Sequence, residues 1–167
     1  LLKAGTGTLA LTGNNSFTGG TALAGGTVQA LHAKALGNGA LTLSSGTLAL
    51  GNATTTNLAL TGLTDLTWSN SNAVVSLANG GNISASGNFT NGGDSGNRTF
   101  YFGGMQYLAP GNNTLVQFGG STNFTASNFV ASYTGNFTIN GAFSISEGKL
   151  IYSFGGGNAT GNVIDNS

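Results

Sequence analysis

Apolar side chains alternate with small polar ones along most of this chain, and Gly/Asn turns interrupt the alternation about every ten residues. Two apolar residues two positions apart lie on the same face of a strand, so each such pair predicts a short strand with one buried face. Pairs of this kind recur from Leu9/Leu11 to Leu150/Tyr152, and helical periodicity is nearly absent. The chain is therefore predicted to be all-β, with short strands and Gly/Asn-rich corners that tolerate positive φ.

A Gly-Thr-apolar strand start repeats in the N-terminal part of the chain, at Gly7, Gly26 and Gly46. The spacing of about 20 residues lies in the range of solenoid repeats. Short strands with sharp corners also suit an antiparallel sandwich or barrel, but those folds do not require self-similarity. The repetition therefore favours a parallel β-helix, or β-solenoid. At about 20 residues per coil and about 4.8 Å between strands, the chain would form about eight coils, roughly 40 Å long.

The predicted solenoid is a single continuous domain over residues 1–154, without a linker. Residues 1–81 form Leu-rich coils, and residues 82–154 form Phe/Tyr-rich coils that are wide enough for aromatic side chains. The helix-like segment 30–36, which ends at Gly37, is too short to be stable alone and is interpreted as a corner excursion. Residues 155–167 are predicted to be a Gly/Asn-rich tail or connector.

The chain has only four Lys and Arg residues and four Asp and Glu residues, with no net charge. Nucleic acid is not expected as a partner because the basic residues are too few to form a patch. The absence of cysteine excludes disulfides, thiolate zinc sites and a cysteine nucleophile. No apolar run reaches the roughly 20 residues that span a bilayer, so this segment is not expected to insert into a membrane. A surface with so little charge is poorly protected against strand pairing between molecules, which favours self-association.

Two runs of the sequence resemble the passenger-associated repeat of bacterial autotransporters. The first is Gly-Thr-Leu-x-Leu-x-Gly-x-Asn-x-x-Thr-Gly-Gly-Thr at residues 7–21, where Ser16 and Phe17 replace the family's usual Thr and Tyr. The second is Ala-Leu-Gly-x-Gly-x-Leu-x-Leu at residues 35–43, followed by Gly-Thr-Leu at residues 46–48. Residues 51–167 share only the style of the family.

The resemblance implies a right-handed parallel β-helix, export through the outer membrane, and a stalk or surface role. It implies no catalytic residues, since the coil of this family is a scaffold. The chain starts at Leu1 without an initiator Met, and we expect it to be part of a longer protein.

Gly93-Asp94-Ser95-Gly96 matches the nucleophile signature of trypsin-like serine proteases. Such a site needs a histidine base and an orienting carboxylate. The only histidine, His32, is flanked by Leu31 and Ala33. Too few residues separate it from Ser95 for the protease fold. The segment is therefore interpreted as a turn, and His32 as a surface residue and not a metal ligand or base.

The acidic residues suggest two other chemistries. Residues 92–97 resemble a calcium-binding nonapeptide, but calcium solenoids stack many Asp-bearing turns and this segment occurs once. Glycoside hydrolysis needs two carboxylates, and the only candidates are Asp65, Asp94, Glu147 and Asp165. We expect no enzymatic activity, no catalytic or metal site and no cofactor. If the chain were a carbohydrate-active enzyme instead, it would depend on the pair Asp94 and Glu147.

Sugar binding without catalysis is a separate alternative. Trp68, Tyr101, Tyr107 or Tyr133, if exposed beside Asn and Thr, would stack on a glycan, whereas the favoured interpretation places these aromatic residues inside the coil. The Asn-x-Thr sequons at residues 88–90 and 136–138 matter only in a glycosylating host.

The sequence therefore predicts an extracellular or surface-exposed bacterial scaffold that serves as a rigid stalk or adhesive passenger. The alternative is a subunit of an extracellular filament, joined end to end through the open strand edges of the solenoid. A carbohydrate-binding or carbohydrate-active β-helix is the third hypothesis.

Overall fold

The computed structural model describes residues 1–103, 108–133, 138–155 and 159–160. Within them the chain is all-β, and parallel stacked strands form a β-solenoid of about four turns, which confirms the predicted fold. A single-turn 3₁₀ segment lies at Ala126–Asn128. The described residues include no helix with the length and apolar character needed to cross a membrane. The strands are β1 (Leu2–Lys3), β2 (Thr8–Leu11), β3 (Thr21–Ala30), β4 (Leu41–Leu50), β5 (Ala59–Leu63), β6 (Leu66–Trp68), β7 (Ala73–Leu77), β8 (Asn82–Ala85), β9 (Phe89–Asn91), β10 (Arg98–Phe102), β11 (Gly111–Phe118), β12 (Phe129–Tyr133), β13 (Thr138–Ile139), β14 (Ala142–Ser146), β15 (Lys149–Phe154) and β16 (Ala159–Thr160).

The largest sheet supplies two sides of the solenoid. β3 and β4 pair along both sides, and their register shifts in the segment that contains Gly25 and Gly26. β1 and β6 pair with the first halves of these strands, and β2 and β7 pair with the second halves. β9 follows β6 on the first side, and β10 and β12 follow β7 on the second. Gly26 and Gly46 have φ of 66° and 89° at equivalent places, which explains why the Gly-Thr start recurs.

Five levels of strands cover both of these sides, and β12 adds a strand to the second side alone. The in-register step along the second side grows from 19 residues, between Leu9 and Val28, to 31 residues, between Phe100 and Ala131. The prediction of about eight coils of constant length is therefore wrong. The later coils are longer because the chain also forms a third side between successive levels. This side contains β5, β8 and β11 and the loops that connect them.

Side chains that point inward stack in columns along the solenoid. One column on the second side runs through Val28, Leu48, Val75 and Phe100, all of them nearly inaccessible to solvent. The change from Leu to aromatic residues that the sequence indicates therefore takes place inside the core. The buried aromatic residues are Trp68, Phe89, Phe100, Phe102, Phe118, Phe124, Phe129, Tyr152 and Phe154.

The third side changes strand direction at its C-terminal end. β5, β8 and β11 pair in parallel, but β15 pairs antiparallel with β11, and β14 pairs antiparallel with β15. The prediction of parallel coils up to residue 154 therefore does not hold for these last two strands. A two-residue turn with φ of 50° at Glu147 and 71° at Gly148 reverses the chain and makes a β-hairpin in place of another coil.

Polar side chains connect successive levels at the corners. Asp65 Oδ1 accepts the backbone N–H of Asn88 at 2.7 Å, and Asn88 Oδ1 accepts the backbone N–H of Ser121 at 2.9 Å. The hydroxyl groups of Thr67 and Thr90, which are in register on the first side, lie 3.2 Å apart. Corner ladders of this kind satisfy backbone groups that the strands leave unpaired.

The helix-like segment after β3 forms turns, as predicted. The backbone N–H of Ala35 donates to the carbonyl of His32 at 2.9 Å, and that of Gly37 donates to the carbonyl of Lys34 at 3.1 Å. Gly37 has a φ of 73° and ends the excursion. Of the predicted tail, residues 156–158 and 161–167 lie outside the described residues, and β16 pairs antiparallel with β13.

Candidate functional site

The Gly-Asp-Ser-Gly segment forms a tight turn between β9 and β10. The Asp94 carboxylate accepts the backbone N–H of Ser71 at 2.6 Å and that of Gly96 at 3.0 Å. These two hydrogen bonds, with the nearby Arg98 charge as a smaller contribution, lower the pKa of Asp94 from 3.8 to about 2. The carboxylate thus joins its own turn to the corner of the preceding coil.

Arg98 is the most deeply buried charged group of this region, with 0% of its surface exposed. Its Nε donates to the carbonyl of Trp68 at 3.2 Å, and its Nη2 donates to Asn91 Oδ1 at 2.6 Å and to the carbonyl of Asp94 at 3.0 Å. Nη1 donates to the carbonyl of Gly96 and lies 3.5 Å from Asp94 Oδ2. Burial lowers the pKa of Arg98, and the Asp94 charge opposes that change.

This cluster, made of Asn91, Asp94, Gly96 and Arg98, does not resemble a hydrolytic site. His32 lies in the excursion between β3 and β4, whereas Ser95 lies between β9 and β10. The imidazole Nδ1 accepts the backbone N–H of Lys34 at 3.1 Å, a contact within its own turn. The fold therefore does not bring the residues of the protease-like signature together, and the interpretation as a turn is favoured by its geometry.

The acidic residues proposed for other chemistries are also dispersed. Asp65 serves the corner ladder, Asp94 serves the Arg98 cluster, and Glu147 lies in the turn between β14 and β15. Asp165 lies outside the described residues. Among the described residues there is no group of three or more His, Cys, Asp or Glu side chains that would hold a metal ion.

The aromatic residues considered for sugar stacking divide between core and surface. Trp68 is buried, meets Phe100 edge to face at 5.3 Å between ring centroids, and donates its indole N–H to the carbonyl of Ala73 at 3.3 Å. Tyr101 alternates with the buried Phe100 and Phe102 on β10, so it lies on the outer face. Tyr107 lies outside the described residues.

Two tyrosine hydroxyl groups meet at the C-terminal end of the core. The Tyr133 and Tyr152 hydroxyl groups share a hydrogen bond, and each lies 2.9 Å from the carbonyl oxygen of Ile139. Burial and the hydrogen bond to Tyr152 raise the pKa of Tyr133 above the ordinary value. The pair ties the end of β12 to β13 and β15, and both hydroxyl groups have partners within the fold.

The described surface has depressions on the third side of the solenoid. One depression, about 530 Å³, lies beside β11, β14 and β15 and is lined mainly by Gly, Ala, Asn and Ser residues, with Phe154. A second, about 300 Å³, includes Asn57, Asn82, Asn112 and Asn113 in its lining. In the former, Asn112 Oδ1 accepts the Ser153 hydroxyl, which leaves this amide engaged in the fold.

Sequence reasoning missed two buried cations. Arg98 is in phase with Phe100 and Phe102, so strand alternation alone places it inside. Lys3 has 8% of its surface exposed and donates to the carbonyls of Ala4, Gly5 and Gly25 at 2.9 to 3.1 Å. Each cation compensates for its burial by pairing with carbonyl oxygens of adjacent corners.

The N-terminal part of the chain matches a known repeat family. Residues 1–30 match the model of the passenger-associated-transport-repeat family, which confirms the resemblance over the part of residues 7–50 that it covers. No curated protein matches the chain, and no solved structure matches it.

Proposed function

We propose that this chain is a non-enzymatic scaffold segment of an exported bacterial protein, and that it serves as a rigid stalk or as the body of an adhesive passenger. The observation that carries the proposal is the uninterrupted in-register column from Val28 to Phe100, which joins four levels through side chains that are nearly inaccessible to solvent. A stack in which each level contacts only its neighbours gives length and stiffness without requiring a reaction site. The passenger-associated repeat at residues 1–30 supports export and a surface location.

A spacer should tolerate the removal of one repeat unit, and the register offers a clean deletion. Thr27 pairs in register with Thr47, so deletion of residues 27–46 joins Gly26 to Thr47 and removes one level. We expect the shortened protein to fold cooperatively with the circular dichroism of a β protein. A control deletion of residues 27–41 removes less than one step and should unfold. If both deletions behave alike, the modular-spacer proposal fails.

Surface location has its own test in a Gram-negative cell that produces the full-length protein. An epitope tag is best inserted beside the exposed Lys34, in the excursion between β3 and β4, so that it stays clear of the buried Ala35 and Leu36. We expect an antibody to label intact cells, and labelling only after permeabilisation would contradict export to the surface.

The proposed adhesive surface is the outer face of the second side. Its in-register positions carry Thr27, Thr47 and Val74 in one row and Tyr101 and Ser132 in the next, where Ser76 is also in register but is largely covered. None of these side chains is charged, so a neutral glycan suits the face better than an acidic one. Binding to a glycan array that is lost in Tyr101→Ala would support this role, and equal binding by both proteins would exclude it.

An end-to-end filament is the second candidate. In the described part of the chain, β1 and β2 pair on one edge only, and 70% of the Leu2 surface is exposed beside them. Such an edge accepts another strand. Electron microscopy of purified protein should reveal filaments with an axial repeat near the solenoid length, whereas dispersed particles at high concentration would exclude this assembly.

A further inference from the structure

The hairpin at the C-terminal end of the third side ends on a strand, β14, whose outer edge pairs with no other strand among the described residues, although the 3₁₀ segment at Ala126–Asn128 packs near it. β14 is the last strand in the order β14-β15-β11-β8-β5, and among the described residues β15 is its partner on one edge alone. Its sequence, Ala-Phe-Ser-Ile-Ser, has no charge, no Pro and no bulge in its register with β15. Charges, Pro residues and bulges normally protect edge strands from pairing with other chains, and β14 has none of them.

The geometry of the hairpin shows which backbone groups are free. Ser146 and Lys149 flank the two-residue turn, so they form a hydrogen-bonded pair, and hydrogen-bonded pairs recur at every second residue. Ser144 therefore directs its N–H and C=O toward β15. Phe143 and Ile145 lie between these pairs and direct theirs away from β15, toward the open edge.

The side chains of Phe143 and Ile145 are apolar and only partly buried. Phe143 packs against Tyr152, Phe129 and Phe100, at 4.8, 5.8 and 6.2 Å between ring centroids, yet it remains partly exposed, as does Ile145. An additional strand that carries apolar residues at matching positions would complete this layer.

We propose that β14 is a self-association edge, and that two copies of this chain pair antiparallel through it around a twofold axis at Ser144. In this register Phe143 of one copy faces Ile145 of the other, twice, so each N–H and C=O of these residues that β15 leaves unpaired finds a partner. Phe143 and Ile145 also share one face of the joined sheet, where each covers the other's exposed surface. The two five-stranded sheets become one continuous sheet.

A second copy is the occupant that the strand itself specifies. The segment is nearly palindromic in character about Ser144, with apolar residues on both sides and small residues beyond them. The contact closes on itself, because a twofold axis uses the same patch on both copies. It therefore gives a dimer and not a filament, and it is independent of whether the chain serves as a stalk. A patch of five residues a side is small, so we expect a weak dimer.

The absence of cysteine allows a direct test with purified full-length chain. Ser144 is exposed, and on the axis it forms a non-hydrogen-bonded pair with its own copy, with Cα atoms about 4.5 Å apart, within the range of a disulfide. Ser144→Cys should therefore form a covalent dimer under mild oxidation. Ser146→Cys is the matched control on the same exposed face. Its copy lies four residues away along the strand, about 14 Å, and should not cross-link.

Charge substitutions separate specific pairing from chance collision of thiols. In Ser144→Cys, adding Ala142→Lys and Ser146→Lys places Lys opposite Lys at both ends, and the covalent dimer should be lost. Mixing this protein with the corresponding Ala142→Glu and Ser146→Glu protein should restore it. If Ser144→Cys stays monomeric while its thiol reacts freely, or if the Lys variant cross-links equally well, the proposed edge is wrong. Neither outcome affects the spacer test, which uses a different part of the chain.

Discussion

The guanidinium of Arg98 lies 3.5 Å from the carboxylate of Asp94, with the arginine side chain fully buried and 26% of the aspartate side chain exposed. The pair joins the core to the surface turn that the sequence presents as Gly-Asp-Ser-Gly. Arg98 also donates to the carbonyls of Trp68 and Gly96, so it organises backbone from two successive coils. The segment that most resembles a catalytic motif thus has a structural explanation.

Replacing Arg98 by Met should destabilise the fold by about 3 kcal/mol. The substitution keeps apolar bulk but leaves several buried carbonyl oxygens unpaired, and each costs about 1 kcal/mol or more. Lys34→Met is the matched control, since Lys34 is exposed, and should change stability by less than about 0.5 kcal/mol. Urea unfolding followed by circular dichroism measures both values. Equal stability of the two variants would show that Arg98 is not a structural cation.

The stability of the fold should depend on pH through the ionisation of Asp94. Its folded pKa of about 2 lies below the ordinary 3.8, so the ionised carboxylate favours the folded state. This contribution is complete above about pH 4 and is lost as the pH falls toward 2. Asp94→Asn lacks it, so the difference in thermal midpoint between wild type and variant should shrink across that interval. A difference that stays constant from pH 5 to pH 2 would contradict this account.

Phe100 and Tyr101 are neighbours on β10 that point to opposite faces. Phe100→Ala removes a ring from the centre of the aromatic column and should cost about 3 to 5 kcal/mol through the cavity it leaves. Tyr101→Ala, on the outer face, should cost less than about 1 kcal/mol. Chemical unfolding of the two variants measures the contrast. A larger loss in Tyr101→Ala would mean that the strand faces are assigned the wrong way round.

Gly46 is required by the corner it occupies. Its φ is 89°, and a Cβ there would overlap the carbonyl oxygen of Gly26 in the coil below. Gly46→Ala should therefore destabilise the protein by at least about 1 to 3 kcal/mol, the usual cost of such a strained backbone. Gly7→Ala is the control, because a Cβ at Gly7 meets no atom within 4 Å and needs no positive φ. Thermal unfolding should separate the two, and identical midpoints would refute the close approach of the coils.

The N-terminal coils were predictable because the sequence repeats the geometry. Gly26 and Gly46 mark equivalent corners, and the Leu and Val residues that follow them occupy one column. The later coils were not predictable to the same degree, since the steps lengthen to 31 residues and no longer repeat a local motif. The hairpin at Glu147 and Gly148 was missed because a Glu with positive φ is rare, and the sequence there reads as another alternating strand.

For the candidate site, the sequence mainly argued against protease, calcium and glycosidase chemistry. The sequence indicated that Asp94 lies in a turn and that Trp68, Tyr101, Tyr107 and Tyr133 lie inside the coil. The turn and the buried Trp68 agree with the structure, whereas Tyr101 lies on the outer face and that part of the expectation is wrong. It did not indicate which cation would balance the buried carbonyl groups. Arg98 becomes identifiable only when its phase relative to Phe100 is considered together with the turn that brings Asp94 and Gly96 beside it.

Equivalent residues of successive coils lie directly above one another in the parallel stack. Thr27 and Thr47 are in register on adjacent strands, at about 4.8 Å, whereas Ser76 lies two levels from Thr27 in the next row. With no native cysteine, double substitution of Thr27 and Thr47 by Cys should give an intramolecular disulfide under mild oxidation. The pair Thr27→Cys with Ser76→Cys should keep both thiols free. Free thiols in the first protein, with its β-type circular dichroism intact, would contradict the parallel stack.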